Sequence, residues 1–409
     1  MRYVRTIFAI ALLAAATQAR AQTPTPTPPE TKVDASRGGL TISSGVNSLT
    51  IGARLQFRWT VDDREDASLD TTGTGVGAAD GLSTQFDIPR MRISFSGGAF
   101  RPWLRYNFQY EFSRTSGESA SKIKDAVIEI RPTGQPFRVS LGQFKAPFGL
   151  QQLTSSGRLQ FVDRAITDAK FNPSRDMGVM LSGTVVNRRV GYDVGIFNGS
   201  GESVRQNTRA HLWAARAYFQ PLGTYALSEG GSDAPERPVL HVGAGVRGGK
   251  QIRGRTSAGL FERADNQNAF NLELAFKAPR LFATAEHFWM SDEQENPLPG
   301  PTIDSRGFHA QAGYMVMPRR LEVGVLHARI TPDTGQDDSA VTETRAVVSY
   351  YWQAHNLKLQ ADAGRLGFDD RFGALSARAR QGLPSLGNRL VSGQAFADTQ
   401  VRIQMQVSF

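Results

Sequence analysis

From Leu49 to Phe409 apolar and polar side chains alternate with a period of two, which confines the chain to half-buried β-strands. Leu49, Ile51, Ala53, Leu55, Phe57, Trp59 and Val61 alternate with Thr50, Gly52, Arg54, Gln56, Arg58 and Thr60, so one face is apolar and the other carries arginines. The pattern recurs at Leu104, Tyr106, Phe108, Tyr110 and Phe112, and at Val401, Ile403, Met405, Val407 and Phe409. Helical periodicity is hard to find anywhere. About 16 such segments can be counted, near 49–61, 85–97, 102–113, 123–131, 137–146, 176–187, 190–198, 208–220, 239–248, 268–277, 280–291, 305–317, 320–330, 342–353, 356–367 and 395–409. The number is even, as bacterial membrane barrels require.

The connections between these segments alternate in length. Residues 97–101, 132–136, 187–189, 278–280, 317–319 and 354–356 are tight turns, whereas 62–84, 147–175, 249–267 and 369–394 are long, polar and glycine-rich. Short periplasmic turns and long extracellular loops give that alternation in an outer-membrane barrel. Residues 221–238, acidic and rich in Gly and Pro, fall on the short side and are either a genuine long turn or a miscount. A soluble sandwich or propeller would also alternate. The final Phe409, and aromatics near strand ends such as Phe57, Trp59, Trp103, Phe112, Trp289 and Trp352, favour a membrane barrel with interfacial girdles.

Residues 1–21 read as a secretory signal: Arg2 and Arg5, an apolar run from Ile7 to Ala16, then Ala19-Arg20-Ala21. The run is too short for a membrane-spanning helix, which needs about 20 residues. Residues 22–48, with the TPTPTPPE stretch at 23–30, are expected to form a periplasmic lead-in, and 49–409 the barrel. Removing the signal takes away three arginines and lowers the formal charge from +9 to +6. An exported basic protein meets anionic lipid and anionic solutes rather than nucleic acid. There is no cysteine, which excludes thiol catalysis and thiolate metal sites. Hydrophobic residues make up 40% of the chain, and no stretch after the signal is long and apolar enough for a spanning helix. In a water-filled barrel, however, every second strand residue faces water and dilutes the lipid-facing signal.

The stretch Gly142-Gln-Phe-Lys-Ala-Pro-Phe-Gly-Leu150, followed by Leu153-Thr-Ser-Ser156, Asp163-Arg164, Pro173-Ser-Arg-Asp-Met-Gly-Val179 and Tyr192-Asp-Val-Gly-Ile-Phe-Asn-Gly199, resembles the phosphate-selective porin O/P family. Echoes at Lys124-Asp-Ala126 and Arg90-Met-Arg92 extend the resemblance over most of the mature chain. It implies a 16-stranded antiparallel transmembrane β-barrel in the bacterial outer membrane, trimeric, with an inward-folded third loop and passage of anions such as phosphate or polyphosphate. The segment 147–175, between the fifth and sixth strands, is that third loop. A barrel of this size is otherwise wide enough to need a constriction for selectivity.

Guanidinium and ammonium groups replace the hydration of an anion best, because they stay charged and donate several hydrogen bonds. Arg54, Arg58, Arg90, Arg92 and Arg105 fall on polar faces of the first three strands, close enough to form a basic ladder on one wall. Lys122, Lys124 and Lys145 are further pathway candidates, and Arg158, Asp163, Arg164, Lys170 and Arg175 belong to the constriction loop and its end. Asp125, Glu129 and Asp163 would hold these bases in place and keep an anion from binding too tightly to leave. Two departures from the family pattern, Pro89 before Arg90 and Gln151-Gln152 where an acid is common, favour general anion preference over strict phosphate specificity.

Other signals carry less. Gly243-Ala-Gly-Val-Arg-Gly248 fits GxGxxG but sits inside an alternating strand with no helix after it. Ser119-Ala-Ser-Lys122 fits SxxK without a KTG partner. The six histidines lack zinc-type spacing, and Asp62, Asp63, Glu65 and Asp66 read as a solvated first loop rather than a cation site. No enzyme site, metal or cofactor is expected. The reading is a passive anion porin; a weakly selective nutrient pore is the alternative, with a barrel enzyme or adhesin as the other class.

Overall fold

A strand in a bilayer must have every backbone N–H and C=O paired, and a barrel without edges is the β solution. The computed structural model describes residues 30–35, 39–65, 81–113, 122–204, 211–255, 261–296, 299–384 and 393–409. Among these residues the strands are β1 (Thr31–Asp34), β2 (Leu40–Ser44), β3 (Asn47–Arg64), β4 (Leu82–Ala99), β5 (Arg101–Glu111), β6 (Lys122–Ile130), β7 (Phe137–Lys145), β8 (Arg175–Val185) and β9 (Val190–Phe197). They continue with β10 (Leu212–Phe219), β11 (Val239–Arg255), β12 (Phe261–Lys277), β13 (Leu281–Asn296), β14 (Ile303–Met317), β15 (Leu321–Thr331), β16 (Val341–Gln353), β17 (Leu357–Phe368) and β18 (Phe396–Ser408). From β3 to β18 each strand pairs antiparallel with its chain neighbour. The last closes on the first, with Val401 opposite Val61 and Ser408 opposite Arg54. The result is a closed antiparallel barrel of 16 strands among the described residues, matching all 16 segments read from the alternation.

β3 outruns β18 at its start, and there β2 takes over the pairing, with Leu40 opposite Ile51. β1 adds to β2, so part of 22–48 is strand; the signal at 1–21 lies outside the described residues. The segment 249–267, expected to be a long loop, is mostly strand instead. β11 runs up to Arg255 and β12 starts at Phe261, in register from Val239 opposite Lys277 to Arg255 opposite Phe261. The two-residue period does not extend into this stretch, so the alternation alone reads it as loop. The other open case resolves as a genuine long connection: residues 220–238 join β10 to β11 on the turn side of the barrel.

Burial tells the two faces apart. On β12, Asn271 and Glu273 are 0% and 2% exposed, whereas Leu272 and Leu274 are 45% and 48% exposed. The apolar set therefore points out of the barrel and the polar set into the cylinder. The inner face is not uniformly polar. Phe288 and Met290 on β13, Ile330 on β15 and Phe368 on β17 form a buried cluster with Phe148, Phe171, Phe372 and Phe396. Phe171 stacks on Phe288 at 5.1 Å with the rings 3° apart. Inward positions on this side of the barrel meet protein rather than water.

Candidate functional site: a basic cavity beside the third loop

The connection from β7 to β8 contains two short helices, α1 (Leu150–Leu153) and α2 (Thr167–Phe171), with a 3-10 turn at Ser156–Arg158 between them. Its conformation is set by the motif that precedes it. Gly149 has φ 77°, and a Cβ there would lie 2.3 Å from the Asn172 side chain. Gly142 has φ 120°, and a Cβ would come within 2.0 Å of the Ala126 carbonyl. Only glycine fits both. At the far end Asp176 accepts from the backbone N–H of Met177 (2.7 Å) and of Gly199 (2.5 Å), tying the start of β8 to the end of β9. The residues that carry the family resemblance are thus largely those that seat this connection.

From this anchor the segment reaches side chains of the polar strand face all round the barrel. The N–H of Leu150 donates to Glu286 on β13 (2.7 Å), that of Ile166 to Glu343 on β16 (2.9 Å), and that of Val162 to Asp362 on β17 (3.3 Å). Lys358 donates to the Leu159 carbonyl (2.8 Å), and Gln406 on β18 to that of Gly157 (2.9 Å). Residues 220–238 meet the same segment from the opposite end. Glu229 accepts from the Gln160 N–H (2.9 Å), from Gln151 Nε2 (3.1 Å) and from Gln311 Nε2 (2.9 Å), and its own N–H donates to the Arg158 carbonyl. Gln151, one of the departures noted above, is therefore fully engaged, since its Oε1 also accepts from the Ala165 N–H (3.0 Å).

Asp163 is the electrostatic centre of the segment. It accepts from Arg58 (2.8 Å), Arg90 (2.9 Å) and Arg402 (3.4 Å), which come from β3, β4 and β18. Burial alone would raise its carboxyl pKa; the three guanidiniums outweigh that and hold it well below the usual carboxylate range. Arg54 and Arg92 stand opposite each other on β3 and β4. Arg92 pairs with Glu111 at 2.6 Å, while Arg54 donates to the Ser155 and Ser156 hydroxyls at 3.2 and 3.4 Å.

Between this wall, the inner face of β5 to β8 and the third connection lies a cavity of about 620 Å³. Its bases are Arg90, Arg92, Lys124, Arg138, Lys145, Arg164 and Arg175, and its acids Asp125, Glu129, Asp168 and Glu202. Lys124 pairs with Glu202 (2.8 Å) and Arg175 with Asp125 (2.8 Å). Lys145 donates to the carbonyls of Gln152, Leu153 and Thr154 at 2.5, 3.1 and 2.9 Å, and Arg164 to those of Gln151 and Thr154 at 3.0 and 2.7 Å, so both hold the connection in shape.

The sequence-derived residues divide accordingly. Arg90, Arg92, Lys124, Lys145, Arg164 and Arg175 line the cavity, and Arg54, Arg58 and Asp163 adjoin it. Arg105 is exposed near the turn between β4 and β5, opposite Glu129 on β6, outside the lining; Lys122 lies at the start of β6 opposite Glu111. Lys170 is buried against the last long connection, donating to the Ala379 carbonyl at 2.6 Å. Arg158 is exposed. Arg138 and Arg402 escaped the sequence reading. Each sits on a polar strand face by the same period-two test, but outside the first three strands on which the ladder was built.

By sequence, no curated protein matches the chain. By fold it is similar to the anion-selective porin from Comamonas acidovorans, at TM-score 0.59 and 14% identity over 89% of this chain and 100% of that one. It is also similar to the outer membrane channel DcaP of Acinetobacter baumannii, at TM-score 0.53 and 13% identity over 89% and 97%. In vitro folded OmpT of Vibrio cholerae, described as a trimer form, aligns at TM-score 0.51 and 10% identity over 88% and 99%. The model of the phosphate-selective porin O and P family matches residues 70–365. The chain belongs to that family and is a porin of the bacterial outer membrane.

Proposed function

We propose that the mature chain, exported by a signal in residues 1–21, lets small anions diffuse passively through the side of the bore lined by β4 to β8. In this reading the third connection folds inward as the constriction loop, and Asp163 docks it against the arginine wall. The observation that carries the proposal is the charge of the cavity lining, in which seven bases, Arg90, Arg92, Lys124, Arg138, Lys145, Arg164 and Arg175, face four acids. In a confined space within a Debye length of ~8 Å, that surplus raises the local anion concentration and repels cations. Passage requires no covalent step, so the site needs neither nucleophile nor cofactor. Likeness to the OmpT trimer form supports a homotrimer.

A specific observation weighs against strict phosphate specificity. Most of the bases already hold a carboxylate, as in Arg90 with Asp163, Arg92 with Glu111, Lys124 with Glu202 and Arg175 with Asp125. A phosphate would have to compete with these partners, so a general preference for anions is the better reading, with phosphate one cargo among several. Zero-current potentials in planar bilayers under a KCl gradient test it. Anion-directed potentials are expected, and a cation-directed potential would overturn the proposal.

A further inference from the structure

Pure anion conduction gives no role to apolar side chains in the pathway, yet the cavity has an apolar wall. On the inner faces of β6, β7 and β8 stand Val127, Phe144 and Met180, part of a cluster backed by Phe197 and Leu212. Leu153 from α1 and Leu227 from the 220–238 connection reach the same space, and Leu227 is 40% exposed. Apolar groups from three separate parts of the chain therefore converge on one basic cavity. An inorganic ion gains nothing from such a surface, because apolar groups cannot replace its hydration. The volume of about 620 Å³ falls in the range of organic-ligand sites.

The basic group best placed to bind a head group beside this wall is Arg138. Its nearest acid, Glu129, lies at 3.8 Å, and its buried Nε has no hydrogen-bond partner among the described residues. The register sets Arg138 opposite Ser182 and Ser140 opposite Met180 on β7 and β8, so Met180 is the diagonal same-face neighbour of Arg138. Such neighbours lie about 7–8 Å apart, roughly the length of a benzoate ion.

We propose that this cavity is a subsite for organic anions, in which Arg138 takes a carboxylate head while Met180 and Leu227 take an apolar body the size of one aromatic ring. The inference rests on the anion-porin reading and deepens it, since it names the class of cargo.

The test is block of chloride current through the reconstituted protein by benzoate, acetate and inorganic phosphate. Benzoate and acetate carry the same head and charge, so only the body differs. Benzoate is expected to reach half-block at a concentration about tenfold below acetate, the factor given by removing roughly 55 Å² of apolar surface from water. Met180→Gln and Leu227→Ser should each narrow the benzoate–acetate gap. Leu227 lies outside the strands, so its variant leaves the barrel intact. Arg138→Gln should weaken block by both carboxylates. Equal block by benzoate and acetate, stronger block by phosphate than by benzoate, or a benzoate preference unmoved by both apolar variants would each overturn the subsite while leaving an anion porin in place. A cation-directed zero-current potential in the same recordings would instead remove the reading on which it rests.

Discussion

Arg54 and Arg92 face each other across β3 and β4, and both guanidiniums reach the same hydroxyl, Ser156 Oγ, at 3.4 and 3.2 Å. Like charges directly opposed on neighbouring strands destabilise a sheet. Glu111, 2.6 Å from Arg92, compensates one of them; Arg54 reaches only hydroxyls among the described residues. Arg54→Gln is therefore expected to stabilise the folded barrel by about 0.5 kcal/mol while lowering anion preference. Arg92→Gln should do the reverse for stability, costing about 3 kcal/mol because it leaves Glu111 buried without its cation. Denaturant unfolding in detergent micelles, followed by tryptophan fluorescence, reads the first quantity and zero-current potentials the second.

Asp163 unites three arginines, so its neutralisation separates docking from charge. Asp163→Asn should increase anion preference, because Arg58, Arg90 and Arg402 lose their shared counter-charge, and should destabilise the barrel by about 3 kcal/mol. The pH dependence follows from the direction of its pKa shift. A carboxyl held below its ordinary value of 3.8 contributes its full stabilisation above that value and loses it as pH falls from there through the depressed folded value. Stability and selectivity due to Asp163 should therefore stay flat from pH 5 to 8, as measured by unfolding and reversal potentials across that range.

Lys145 donates to three successive carbonyls at the end of α1. Lys145→Met removes all three bonds at once and leaves the carbonyls without donors. A loss of about 2 kcal/mol is expected, together with larger current fluctuations as the connection loosens. Single-channel recordings that show wild-type noise would mean that the motif glycines alone hold the loop.

Glu229 bridges the two connections that meet beside the cavity, accepting from Gln151, Gln160 and Gln311. Glu229→Ala should cost about 2–3 kcal/mol, since it leaves those buried donors unsatisfied. Replacing 224–233 by a short turn should raise single-channel conductance, because Lys277 and His355, now bonded to Asp233 and to the Glu229 carbonyl, would become free to water. Unchanged conductance would show that this side of the bore carries no current.

Much of this protein was legible along the chain. Each of the 16 barrel strands could be read from a two-residue period, because alternation between the outside and the inside of the barrel acts on every strand separately and leaves its mark in local order. The alternation of connection lengths located the third connection, and the motif that leads into it carries Gly142 and Gly149, whose backbone geometry admits no other residue. The hairpin of β11 and β12 continues past the alternating segments 239–248 and 268–277, so the two-residue period does not show its full length.

By itself the sequence determined the strands, their faces and the row of arginines on the polar face of the first strands. Only the tertiary structure decided which of those groups remain available. Asp163 lies 73 residues from Arg90 and 239 from Arg402, and barrel closure with the docked connection brings all three together. Charge pairing falls off with distance through space, not along the chain. A residue such as Arg138 can therefore be recognised as basic from its letter, but as loosely paired only once the whole wall has folded around it.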